Sequence, residues 1–200
     1  APFRLIGQRL WLKAGPSLQP DTLIRLIDTL NPENVPGRIT IISRFGHEKV
    51  EAGLPPLVRA VLASARPERV CIIDSAPGTS CPVIEAVRGA DVVLLVTEPT
   101  PFGLHDLGLA VAMVRALGVP FGVAINRAGE GDEPTEAYCR EQGIPIVLSI
   151  PEERAIAEAY SRGVLAVDVH DELTEAFAQL YRSLARLAES PRQAATTVMA

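Results

Sequence analysis

The chain has 200 residues, a formal net charge of −5, 48% apolar and 22% charged residues, which fits a soluble globular fold and excludes a disordered or fibrous one. An acidic balance with only 4% aromatic residues excludes a nucleic-acid groove, which needs clustered cations and stacking rings. The three cysteines, Cys71, Cys81 and Cys139, are odd in number and lack a C-x-x-C pair, so a disulfide framework and a zinc site are unsupported and a cytoplasmic location is expected.

No run approaches about 18 consecutive apolar residues, and no charged-then-apolar leader opens the chain, so neither a membrane span nor a signal peptide is expected. From about residue 39 onward, short β-branched runs alternate with helical patterns, the signature of stacked βαβ units. In chain order the pattern predicts a helix over Asp21–Leu30, a strand over Ile39–Ser43, a helix over Pro56–Ala65 and a strand over Val70–Asp74. Pro82 suits a first helical position. Strands are then expected over Val92–Thr97, Phe121–Asn126 and Ile146–Ile150. Between and after them, helices carry stripes at Leu104, Leu107, Val111, Val114 and Leu117 and at Leu173, Phe177, Leu180, Leu184 and Leu187, with shorter ones over Glu133–Gln142 and Glu152–Arg162.

Because runs such as Val92 to Val96 do not alternate with polar residues, they demand burial on both faces. The fold class is therefore α/β: a mostly parallel sheet with helices on both faces, a Rossmann-type three-layer sandwich. One domain is expected over residues 1–188, with a polar, frayed tail over 189–200.

In such a sheet, ligands sit beyond the carboxyl ends of the strands. The run Val70 to Ile73 ends in Asp74, and Pro77, Gly78, Thr79 and Ser80 lead into a helix. An acid in that position suits Mg²⁺ held through water, and a glycine before a helix start suits a close phosphate. Taken residue by residue, Asp74 and Asn126 also read as ordinary strand-end and loop residues, and His105 and Asp106 as a solvated helix face. His47 and His170 have no ligand-spaced partner in the sequence.

The string from Asp74 to Thr79 after an apolar strand resembles the Walker B and switch II region of the MinD/ParA group of P-loop ATPases. Val93 to Leu107, with Glu98, Pro99, Thr100 and Pro101 at its centre, is similar to the next strand, loop and helix of the MinD-related ATPases that carry an inserted ferredoxin domain. Val123 to Arg127 resembles the strand whose terminal Asn reads adenine, and Ile150, Pro151 and Glu152 the loop that wraps the base. The resemblance covers about residues 70–165. It implies a P-loop-type scaffold that binds and hydrolyses ATP with Mg²⁺ held by Asp74, a phosphate-sensing turn at Pro77, Gly78 and Thr79, and adenine at Asn126, Arg127 and Pro151. It further implies a homodimer and an iron–sulfur or electron-transfer partner.

A P-loop ending in Gly-Lys-Ser/Thr occurs nowhere in the chain, and the segment from Leu12 to Ser17 is no substitute. The four-cysteine motif of a 4Fe-4S insert is missing as well. Both parts lie N-terminal to the matched region in the family, so the expectation is the C-terminal portion of a longer ATPase, incomplete at its N-terminus and inactive alone. The alternative is a non-catalytic interaction or regulatory domain on the same scaffold.

Overall fold

Branched apolar residues favour strands that can be covered on both faces, and helices with an apolar stripe supply the cover. The computed structural model describes residues 10–191 apart from Asn34, Pro36, Gly37, Arg44, Gly46, residues 65–69 and Ala76. In order, the elements are β1 (Leu10–Ala14), α1 (Pro20–Leu30), β2 (Ile39–Ser43), α2 (His47–Ser64) and α3 (Cys81–Arg88). They continue with β3 (Val93–Thr97), α4 (Pro101–Leu117), β4 (Phe121–Ala128), α5 (Glu133–Glu141), β5 (Ile146–Pro151), α6 (Arg154–Ser161) and α7 (Asp171–Ala188). A single 3-10 turn, Ala166–Asp168, precedes α7. The chain divides into two compact units, 1–89 and 90–200.

In the first unit β1 and β2 pair in parallel, from Leu10 opposite Ile39 to Ala14 opposite Ser43. The sequence pattern does not mark β1, because Lys13 interrupts a short run. The core gathers Ala14, Leu23, Phe45 and Leu57, with Val50, Leu54 and Val61 of α2 packed against it. That stripe, at steps of three and four, explains why α2 begins at His47 rather than at Pro56: its burial outweighs the hydrogen bonds lost at Pro55 and Pro56 inside the helix.

The strand expected over Val70–Asp74 does not form. Val70 to Ser75 are irregular and exposed, with Ile72 at 87%. A strand is made by ladder hydrogen bonds and by side chains on adjacent strands, and among the described residues this run is part of no sheet.

The second unit is built as expected. β3, β4 and β5 lie in that order, all parallel, with Leu95 opposite Val123 and Ile125 opposite Ser149. On one face Leu107 and Val111 of α4 and Cys139 of α5 meet Val123 and Ile125. On the other, Leu180 of α7 meets Ala124 and Leu148. This is a three-layer sandwich, helix on sheet on helix. β4 runs two residues past the expected end at Asn126, and α7 stops at Ala188, where the tail was expected to start. Residues 192–200 lie outside the described residues. No helix among the described residues is long and apolar enough to cross a membrane.

Candidate functional site

The carboxyl rim of the second unit's sheet is shaped by three strand ends. After β3, the buried Thr97 donates its hydroxyl to the Gly103 carbonyl at 3.0 Å, and Thr100 caps α4 by accepting the Gly103 amide at 3.0 Å. Position 103 must be glycine: a Cβ there would stand 2.2 Å from the Glu98 carbonyl oxygen. These contacts fold Glu98, Pro99 and Thr100 tightly back over the first turn of α4.

At the end of β4 the ladder is irregular: Asn126 pairs with Ile150 and Ala128 with Pro151, so Arg127 is the extra residue between them. Arg127 is the one non-glycine residue among those described with a left-handed backbone, φ +58°. Such a conformation is held only by its surroundings. Its Nε donates to Glu152 Oε1 at 3.1 Å, a second guanidinium nitrogen contacts the same oxygen, and Nη1 faces Glu98 Oε2 at 3.6 Å. The Glu152 hydrogen bond first, then the charges of Glu152 and Glu98, hold the guanidinium still more firmly protonated than usual. One cation thus ties together the loops that follow β3, β4 and β5. The Glu152 amide in turn donates to the Ala128 carbonyl at 3.0 Å.

These loops enclose a cavity of about 300 Å³ lined by Glu98, Pro99, Thr100, Arg127, Gly129, Glu130, Gly131 and Glu152. Its size lies at the lower end for small-molecule sites. The lining holds three carboxylates and one guanidinium, and that guanidinium is already paired with two of them. A second cavity of about 230 Å³, with Val119, Phe121, Ile144 and Leu187 in its wall, lies at the opposite rim.

Of the expected base-binding residues, Arg127 lines the rim cavity, while Asn126 and Pro151 flank it, half-buried at the ends of β4 and β5. Glu98 and Glu152 stand in strings that the resemblance picks out, Glu152 in the base-wrapping loop, but neither is among the expected ligand residues. The available signal was an acid directly after each of two strands, with an arginine directly after the expected end, Asn126, of the strand between them. Asp74, Pro77, Gly78 and Thr79 belong to the first unit, all exposed, in the loop before α3. Gly78 has φ +93°, a backbone that glycine alone adopts freely. Asp74 does not close a strand, which corrects the position from which it was expected to reach a metal. Among the described residues no three His, Cys, Asp or Glu gather closely enough to hold a metal ion. His105 and Asp106 are exposed on α4, and His170 meets Glu153 at 3.3 Å. The side chain of His47 lies outside the described residues.

Residues 3–92 match the Class-II DAHP synthetase family. An uncharacterized protein of Methanocaldococcus jannaschii is 38% identical over 92 residues, 46% of this chain and 31% of that protein. A probable chloroplastic phospho-2-dehydro-3-deoxyheptonate aldolase of Catharanthus roseus is 45% identical over 59 residues, 30% of this chain and 12% of that protein. The aligned stretches therefore span less than a third of these curated relatives. Among solved structures, the cell division ATPase MinD of Pyrococcus furiosus matches with TM-score 0.58 and 26% identity, over 86% of this chain and 77% of that one. The septum site-determining protein MinD of Pyrococcus horikoshii, complexed with Mg-ADP, matches with TM-score 0.58 and 23% identity, over 90% of this chain and 85% of that one. The fold is the MinD-like, Rossmann-type α/β fold.

Proposed function

We propose that residues 90–200 form the base-holding part of a MinD/ParA-like, ATP-binding switch site in the cytoplasm, with Asn126, Arg127 and Pro151 around the adenine. The cavity at the carboxyl rim of β3, β4 and β5 carries this reading, because parallel sheets bind ligands there. Asn126 offers what an adenine edge needs, one amide donor beside one carbonyl acceptor. The cavity's excess of carboxylates favours an uncharged heterocycle over a phosphate. Titration calorimetry with ADP and Mg²⁺ tests the reading: saturable binding that is lost in Asn126→Ala is expected, and no binding at millimolar ADP would refute it in favour of a non-catalytic interaction scaffold.

On the same reading Pro77, Gly78 and Thr79 form the phosphate-sensing turn and Asp74 carries Mg²⁺ through water and phosphate oxygens. One exposed carboxylate without companion ligands fits only that indirect role. When bound, the ion would neutralise phosphate charge. Phosphoryl transfer depends on positioning and charge neutralisation, and no Gly-Lys-Ser/Thr loop is present in the 200 residues. This chain alone is therefore expected to turn over Mg·ATP at background rate. Robust Asp74-dependent hydrolysis would contradict that. A homodimer, an iron–sulfur or electron-transfer partner and a 4Fe-4S cluster carried outside this chain complete the proposal.

A second reading rests on the match of residues 3–92 to the synthetase family: the first unit is a segment of that scaffold, and the Asp74 loop belongs to it. The match ends at residue 92, close to Gly89, the last residue of the first unit. Asp74→Ala in the full chain separates the two. A weakened Mg·ADP affinity supports the phosphate-site role, and an unchanged one supports the synthetase-like segment.

A further inference from the structure

The cation on the cavity wall is already engaged. Arg127 spends its Nε and a second nitrogen on Glu152 and turns Nη1 to Glu98, while Glu130 adds a third carboxylate to the lining with no part in that ion pair. A phosphate entering here would meet an acidic wall and a guanidinium already hydrogen-bonded to Glu152 and ion-paired with Glu98, and each carboxylate it displaced would be left unpaired beside it. An amino-bearing heterocycle meets the reverse: carboxylate oxygens free to accept, a flat guanidinium beside them, and no charge to repel.

We propose that Glu98 and Glu152 are positioning residues that, by holding Arg127 between them, reserve the rim cavity for the uncharged end of a nucleotide and turn its phosphates away. This deepens the base-site reading and rests on it. The two glutamates set polarity; Arg127, freed from them, would become an ordinary anion ligand. Both are well exposed, so the isosteric change to glutamine removes charge with little effect on packing.

The experiment is calorimetric competition on the full chain, with adenosine and inorganic pyrophosphate as probes, for the wild type, Glu98→Gln/Glu152→Gln and Glu130→Gln. In the wild type, adenosine binds and pyrophosphate does not compete. The double variant gains pyrophosphate affinity relative to adenosine by about tenfold or more, in a salt-dependent way. Glu130→Gln removes one carboxylate without freeing Arg127 and gains less than about threefold. A wild type whose adenosine is displaced by pyrophosphate, a double variant with an unchanged pyrophosphate-to-adenosine ratio, or a Glu130→Gln gain equal to the double variant's would overturn the proposal while leaving the base site standing. A wild type that binds no adenosine would overturn both. Circular dichroism and the melting temperature of each variant check folding, and Glu98→Gln alone, expected to give an intermediate gain, serves if the double variant is unstable.

Discussion

The two units are made of the same materials and end differently. Both pair branched apolar strands in parallel, but the second has three strands with helices on both faces, so Val123 and Ile125 are sealed on one face and Ala124 and Leu148 on the other. The first has two described strands, with Ala14, Leu23, Phe45 and Leu57 gathered into a core, and it leaves Val70, Ile72 and Ile73 in water. An apolar run acquires a structural role only where neighbouring strands and covering helices exist. In the second unit they do, and the rim they hold is where the three loops of the candidate site converge.

The largest expected contrast is chemical. Cys139 is fully buried against Leu107 and Val123, and burial first, then Glu136, raise its thiol. Since the thiolate is the nucleophile, a raised value means little reactive form at neutral pH, and alkylation should accelerate as pH climbs. Iodoacetamide labelling followed by mass spectrometry should find Cys139 slower than the exposed Cys81 by at least about a hundredfold, because Cys139 must wait for an opening event. Comparable rates would mean that the second core is not closed.

Truncating that core comes next. Ile125→Ala should destabilise the second unit by about 3 kcal/mol in denaturant unfolding, the usual cost of a cavity at a fully buried branched residue. Gly103→Ala, whose new methyl group would collide with the Glu98 carbonyl, should cost about 2 kcal/mol and loosen the rim loop. Thr100→Ala removes only the cap on α4 and should cost about 1 kcal/mol. At the bottom of the scale, Ile72→Ser should lie within about 0.5 kcal/mol of the wild type, because its side chain is already in water. A loss comparable to that of Ile125→Ala would instead place Ile72 in a core.

Much of the second unit was legible in the sequence. β3, β4 and β5 announce themselves as unbroken apolar runs bounded by turns, and Gly118 closes α4 with φ +66° as its place after Leu117 predicts. Val70 to Asp74 carries the same local signal and is not a strand, since pairing depends on partners that no local pattern reveals. β1 was hidden by Lys13 in a short run, and the first turns of α2 by two prolines that read as a helix start. The rim was half legible. Asn126, Arg127 and Pro151 lie in the last residues of β4 and β5, strands that the apolar pattern marks, but a left-handed bulge at a β-strand arginine, and the ion pairs it makes 25 residues ahead and across to the loop after β3, are tertiary facts.

A base site at the carboxyl rim requires that adenosine enter the cavity there. Adenosine titrated into ¹⁵N-labelled protein, followed by amide chemical shifts, should give saturable changes at Arg127, Gly129, Gly131 and Glu152, with Gly143 and Ile144 at the opposite rim unmoved. Changes centred on Gly143 and Ile144, or none at any adenosine concentration, would contradict it.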